Sequence, residues 1–142
     1  MKTIDADKLN DLPGKRIENN ETFRFRCHPD IACFNQCCRN IHLFLNPYDV
    51  LRLKNNLELS SDDFLDQYVD VVLRPEMVYP EVVLRMSEDP EKSCPFVHPS
   101  GCRVYLDRPY TCRYFPMEQG SLHDAQSQTS RLVHFFRPPD FC

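Results

Sequence analysis

The 142-residue sequence contains no tryptophan and only three glycines. With so little glycine there is no P-loop and no dinucleotide-binding fingerprint, since both need glycines at fixed spacing for backbone to approach phosphate. No G-x-S-x-G elbow occurs, and no local arrangement of Ser, His and Asp marks a nucleophile triad. A basic excess is also missing: 17 Lys and Arg stand against 21 Asp and Glu, for a net charge of -4. Nucleic-acid binding draws its affinity from neutralised phosphates, so nucleic acid is not expected as a partner. No run approaches the roughly 18 apolar residues of a membrane span, and Met1–Leu9 lacks the apolar stretch of a secretory signal. The expectation is a cytoplasmic protein with no membrane partner. There is no internal repeat and no low-complexity tract.

Cysteine and proline are abundant, at 8 and 12 residues. In a reducing compartment, many cysteines point to metal or redox chemistry more often than to disulfides. The prolines predict a loop-rich chain with stiff turns. The length suits one domain, and a hydrophobic fraction of 42% argues against disorder. The expected fold is α+β: a small single domain of short strands, two or three helices and metal-organised cysteine loops.

Residues 1–20 are polar and read as an N-terminal arm or short helix, with the cysteine-cluster domain at 21–142. Thr22–Arg26 alternates apolar and charged residues, which predicts a strand, and Ile41–Leu45 predicts a second. Asn46-Pro47 is a helix start, an N-cap followed by proline at the first helical position, with Val50, Leu51, Leu53 and Leu57 as its apolar face. Ser60 caps a second helix whose early turns carry Asp62, Asp63 and Asp66, favourable at the positive dipole end. Val82–Met86, Arg103–Leu106 and Leu132–Phe136 read as strands. Pro109 opens a helical turn holding Tyr110, Cys112 and Arg113, and residues 117–130 read as a polar surface loop.

The cysteines fall into two groups. Cys27, Cys33, Cys37 and Cys38 lie within twelve positions, and Cys94, Cys102 and Cys112 form a looser set; Cys142 ends the sequence. Thiolates close in sequence can surround one ion, at about 2.3 Å from zinc, with little loop-closure cost. The Cys33-x-x-x-Cys37 spacing suits a metal knuckle or an iron–sulfur loop. Of the adjacent pair, one cysteine can ligate while the other serves a second metal, packs or bridges; the spacing leaves the choice open. Arginines adjoin four cysteines (Arg26, Arg39, Arg103, Arg113), where guanidinium charge lowers thiol pKa; the competing reading is chance adjacency. His28 and His98 lie inside the cysteine groups and can replace a thiolate. Equally, both are loop residues preceding proline, while His42 and His134 sit in predicted strands.

Phe25-Arg26-Cys27 through Cys33 and Cys37-Cys38, Ile41-His42-Leu43 and Asp49, then Cys94-Pro95-Phe96, Gly101-Cys102-Arg103-Val104-Tyr105, Arg108-Pro109, and Cys112-Arg113 with Phe115-Pro116 form one pattern. It resembles the CxxCxxCC family of zinc- or iron-chelating proteins, the YkgJ-like cysteine-cluster proteins, over roughly residues 23 to 116. The second half carries the more specific motif; the first is spaced C-x5-C-x3-CC rather than C-x2-C-x2-CC. Cys27, Cys33, Cys37, Cys38, Cys94, Cys102, Cys112 and Cys142 are the candidate ligands for zinc or iron, up to a 4Fe-4S cluster; the resemblance ends short of Cys142. It implies that Arg108 and Arg113 support them from behind and that Tyr105 packs under the cluster. Cys142 is either a ligand or a point of truncation.

Three functions are expected from this pattern. The first is a metal-binding protein, with a metal ion and a protein as its expected partners. The second is a redox or radical-assisted protein-modifying enzyme, since related cysteine motifs occur in flagellin lysine methylases; no S-adenosylmethionine motif accompanies it. The third is a disulfide-stabilised interaction module, which an even number of cysteines permits.

Overall fold

A computed structural model of the chain describes residues 3–5, 9, 11–18, 20–75, 78–124 and 126–142. The fold is α+β, with three α-helices and several short, mostly antiparallel strands among the described residues. Two compact units emerge, one formed by Met1–Arg26 with Tyr114–Cys142 and the other by Cys27–Arg113.

In the first unit, β1 (Thr3–Asp5), β2 (Lys15–Ile17), β7 (Met117–Asp124) and β8 (Thr129–Phe136) form a sheet in the order β1-β7-β8-β2. Its backbone is the β7–β8 hairpin, eight residues on each side, with Met117 opposite Phe136 and Asp124 opposite Thr129. Residues 117–124, expected in a surface loop, are therefore a strand. Their apolar positions are sparse, but Gly120 and Leu122 alternate inward against Val133 and Phe135, the period of a half-buried strand. The residues expected to form an arm contribute β1, parallel to β7, and β2, antiparallel to β8. Thr22–Arg26 joins no strand, contrary to the strand expectation. Its alternation serves aromatic packing: Phe23 lies 4.8 Å from Phe136, and Phe25 lies 6.3 Å from Phe115.

The second unit is built on α1 (Pro47–Asn56) and α2 (Ser61–Tyr68). Both begin where the caps direct. Asn46 Oδ1 accepts from the Asp49 N–H at 2.9 Å while the Asp49 carboxylate accepts from the Asn46 N–H at 3.2 Å, a reciprocal capping box. Ser60 Oγ accepts from the Asp63 N–H at 3.1 Å. The far end of α2 is closed by Arg85, which donates to the carbonyls of Asp66 and Gln67 and to the Asp70 carboxylate. The strands β3 (Val69–Val72) and β4 (Glu81–Leu84) pair antiparallel. Ile41–Leu45 is not a full strand, but it lies along the outer edge of β4, with Leu45 N–H donating to the Val82 carbonyl and Leu84 N–H to that of Leu43, each at 2.8 Å. The core is Leu43, Leu45, Leu53, Phe64, Val69, Leu84, Phe96 and Val104, with Cys94, Cys102 and Cys112 packed against it. A short hairpin, β5 (Val97–His98) and β6 (Gly101–Cys102), and the helix α3 (Tyr110–Tyr114) complete the unit. Residues 105–107 form a 3-10 turn rather than the expected strand.

Candidate metal centre

The first cysteine group is wound rather than extended. The N–H groups of Ile31, Phe34, Gln36 and Cys38 donate to the carbonyls of His28, Ile31, Cys33 and Asn35 at 3.0–3.2 Å, and the run ends in a 3-10 turn at Gln36–Cys38. Asn35 and Asn40 bracket it in left-handed conformation, at φ +65° and +47°, where asparagine is better tolerated than most residues. This winding bears on the adjacent pair. In a strand Cys37 and Cys38 would face opposite ways, whereas successive side chains in a 3-10 turn are only about 120° apart. The two thiols stay together and hydrogen-bond to each other.

The second group is joined to the first by backbone. The Cys94 N–H donates to the Cys38 carbonyl at 2.7 Å, and the Asn40 N–H donates to that of Lys92 at 3.0 Å. Cys94 then turns sharply, its sulfur accepting from the N–H groups of Phe96 and Val97. The hairpin places Cys102 opposite Val97, through a turn in which Gly101 sits at φ +127°, and the Cys102 sulfur accepts from the Val104 N–H. Helix α1 pins the segment from Asp107 to Tyr110. Arg52 Nη2 donates to the Asp107 carboxylate at 2.9 Å, Asn56 donates to its other oxygen at 2.8 Å, and Asp49 Oδ1 accepts from the Tyr110 N–H at 2.8 Å. Arg108 and Cys112 are thereby held to a rigid helix.

Seven thiols share one electrostatic neighbourhood. Burial pushes Cys112 up to about 12, helped by the nearby sulfurs of Cys94, Cys102 and Cys37. Burial likewise raises Cys94 to about 11 and raises Cys102. Cys27 is raised by burial and by Cys37 and Cys33. Within the adjacent pair the proton stays on Cys38, which donates to Cys37; Cys38 is raised and Cys37 lowered to about 7. One cation opposes the crowding. The Arg108 guanidinium favours the thiolates of Cys27, Cys37, Cys102 and Cys112. It is positioned by its own Nε, which donates to the Tyr105 carbonyl at 2.9 Å, and by stacking 3.7 Å over the Tyr105 ring.

The structure thus brings together Cys27, Cys33, Cys37, Cys38, Cys94, Cys102 and Cys112. Cys142 lies in the other unit, where it is exposed. Arg108 is beside the thiols, while Arg113 acts one step away, its Nε donating to the Arg108 carbonyl at 3.0 Å. Of the arginines next to cysteines in sequence, Arg39 is directed elsewhere, to Glu91. Tyr105 does not lie buried under the cluster; it is 59% exposed and carries Arg108 on its face. His28 and His98 have other partners, the Asp30 carboxylate and the Ser100 hydroxyl. Asp49, Arg52 and Asn56, which place the second group, carry no signal in the cysteine pattern beyond their helical spacing.

The donor set fits a thiolate-bound metal. Backbone N–H groups aimed at sulfur and a guanidinium in its field are what such a ligand requires from its surroundings, and seven thiols exceed the four that close a zinc or iron–sulfur centre. Among the described residues, no three His, Cys, Asp or Glu side chains converge closely enough to grip an ion, so the sulfurs are gathered but not drawn in. The family model described as "Putative zinc- or iron-chelating domain", CxxCxxCC, matches residues 26–134. The chain belongs to this family. The match spans all seven clustered cysteines and stops short of Cys142. No curated protein and no solved structure matches the chain. Among the described residues no helix is long and apolar enough to cross a membrane.

Proposed function

We propose that this CxxCxxCC protein holds zinc or iron through the thiolates of Cys37, Cys94, Cys102 and Cys112, with Cys27, Cys33 and Cys38 as further donors beside them. The observation that carries this reading is the mutual proximity of the two groups: Cys94 is hydrogen-bonded to Cys38 through backbone, and Cys112 lies in the field of Cys94, Cys102 and Cys37 at once. Cys112, on α3, is the hub. When bound, zinc closed by four thiolates supplies a structural cross-link, and an iron–sulfur centre supplies an electron-transfer site. The chain's own part is to deliver thiolates: Arg108 offsets their charge, and the N–H groups of Phe96, Val97 and Val104 fix the sulfurs of Cys94 and Cys102. A reducing compartment, the cytoplasm, keeps these thiols available.

Three thiols beyond a four-ligand set leave room for a second ion, whichever metal the first four hold. Metal and acid-labile sulfide analysis with an absorption spectrum, on protein purified without oxygen, tests the reading. Iron with sulfide and a broad band near ~400 nm assigns an iron–sulfur centre. Colourless protein with bound zinc assigns closed thiolate sites. Protein that holds neither metal after anaerobic reconstitution overturns the proposal.

A further inference from the structure

Strand β4 is bonded along both edges and β3 along one. The Arg85 N–H donates to the Tyr68 carbonyl at 2.8 Å. Along the antiparallel ladder, Asp70 and Val72 are therefore the residues that exchange bonds with Val83 and Glu81. The other edge of β4 holds Leu43 and Leu45. Val69, Val71 and, continuing the alternation past β3, Leu73 turn their N–H and C=O groups away from β4. Those of Val69 are used: its N–H donates to the Leu65 carbonyl, and its carbonyl accepts from Arg85. Those of Val71 and Leu73 face an edge that no strand among the described residues covers.

The side chains divide between two faces. Val69, Val71 and Leu73 alternate onto one. Val69 is sealed in the core at 3% exposure, whereas Val71 is 60% and Leu73 79% exposed. The apolar face thus runs on past the core that it covers. Asp70, Val72 and Arg74 share the other face. Asp70 pairs with Arg85 and Arg74 with Glu81, each at 2.8 Å, and both Asp70 and Arg74 stay half-exposed, open to a further ion pair. Sheets commonly guard such an edge with lysine, proline or a covering segment; here the first proline, Pro75, comes only after Arg74.

We propose that the outer edge of β3 pairs antiparallel with the same edge of a second copy of this chain, about a two-fold axis at Val72. The occupant follows from the edge itself, which is its own complement in this register. Val71 meets the partner's Leu73, so the outward N–H and C=O groups of both are satisfied and their apolar side chains lie side by side. Asp70 meets the partner's Arg74, and Arg74 the partner's Asp70, opposite charges directly across a ladder and a favourable pair. Pro75 falls opposite Val69, whose groups are already used, so its missing N–H leaves nothing unmet. A shift of two residues either way parts Asp70 from Arg74. It also sets Leu73 against Val69 or Val71 against Pro75, neither of which can complete the ladder. The contact is isologous and closes on itself, giving a dimer and no filament. A ladder this short belongs with interfaces below about 1,200 Å², so the dimer is expected to be weak.

The pairing uses no cysteine and stands apart from the metal reading. The test is sedimentation velocity of the purified full chain under reductant, from micromolar to millimolar concentration. A reversible dimer is expected, weaker as salt rises. Val71→Lys is expected to weaken it at least about tenfold. Asp70→Arg and Arg74→Asp each set like charges across the ladder and are expected to stay monomeric alone. Mixed in equal amounts, these two variants restore opposite charges across the ladder and dimerise, which a loss of folding would not allow. In the parent chain, the Val71 and Leu73 amides gain protection from hydrogen exchange as concentration rises, while that of Val72, already bonded to β4, does not change. This readout decides the matter should a variant fail to fold. A parent chain that stays monomeric at millimolar concentration overturns the proposal and leaves the edge to a strand of a different protein. A dimer that is indifferent to Val71→Lys, with no change at the Val71 and Leu73 amides, also overturns it and places the contact on another face.

Discussion

Asp49 Oδ1 accepts a hydrogen bond from the backbone N–H of Tyr110 at 2.8 Å, across 61 residues, while the other carboxylate oxygen caps α1 through the Asn46 N–H. It is the one polar or charged side chain fully buried among the described residues, at 1% exposure. A buried carboxylate is kept where its hydrogen bonds are met. Here one side chain fixes the start of α1 and the start of α3, which carries Cys112.

Asp49→Ala removes both bonds at once and breaks the capping box. The expected loss is about 2 kcal/mol, from a lost cap and an orphaned N–H, read as a lower urea midpoint with unchanged slope. Asp49→Asn keeps an acceptor for one N–H only, and falls between the two. Bound metal per chain is expected to drop in the same order, since Cys112 moves with α3. Wild-type stability in the alanine variant would show that the bond carries no load.

Arg108 is expected to set metal affinity without setting the fold. Its guanidinium favours four thiolates, and loss of such a supporting group costs about 10–100-fold in metal affinity. Competition with a chromogenic chelator measures this in Arg108→Ala. Arg108→Lys restores the charge but neither the stack on Tyr105 nor the fork geometry, so partial recovery is expected. An alanine variant that competes as well as the parent contradicts the assignment.

Metal uptake at neutral pH is expected to expel protons. Cys94 at about 11 and Cys112 at about 12, with Cys102 also raised, are protonated in the metal-free chain, whereas Cys37, at about 7, is partly ionised already. Binding requires thiolates, so affinity rises with pH. Stability of the metal-free chain moves the other way. A thiol whose folded pKa is raised above its ordinary 9.0 contributes stability that is complete below that value and is lost as pH climbs from 9.0 toward 11 and 12. Calorimetric zinc titrations in buffers of different ionisation enthalpy measure the protons released; identical heats in all buffers would refute the prediction.

The helices and the second cysteine group were legible because their signals are local. Asn46-Pro47 and Ser60 mark starts that the caps then satisfy, and Pro109 opens α3 as its fixed φ predicts. Strands were less legible because pairing is not local. Ile41–Leu45 has the composition of a strand but meets β4 over only a few bonds. Gln119, Ser121 and His123 disguise β7 as a loop, since one face of a two-sided sheet can be polar throughout. Sequence adjacency misled for the arginines: Arg108 reaches four sulfurs from none of the neighbouring positions, because turns rather than sequence decide where a long side chain points. Tyr105 was placed by its motif and not by any signal of burial, and its ring serves the arginine from the surface.

Serine substitutions along the cysteines separate the ligands from their neighbours. Cys112 lies in the field of three other sulfurs, so Cys112→Ser is expected to cost the most bound metal, with Cys37→Ser, Cys94→Ser and Cys102→Ser close behind. In each, one thiolate of the proposed set is replaced by a hydroxyl that zinc and iron–sulfur centres accept poorly. Cys38→Ser tests the adjacent pair differently. Its thiol donates to Cys37, and a hydroxyl can do the same, so metal content is expected to hold, and in the metal-free variant Cys37 remains reactive to alkylation. Cys142 lies in the other unit, beyond the residues that the family model matches, and Cys142→Ser is expected to retain full metal. Metal analysis of the purified variants, each checked for folding by circular dichroism, decides the set. If Cys142→Ser loses metal while Cys112→Ser keeps it, the centre is not the one assembled by α3, and the ligands must be sought among different cysteines.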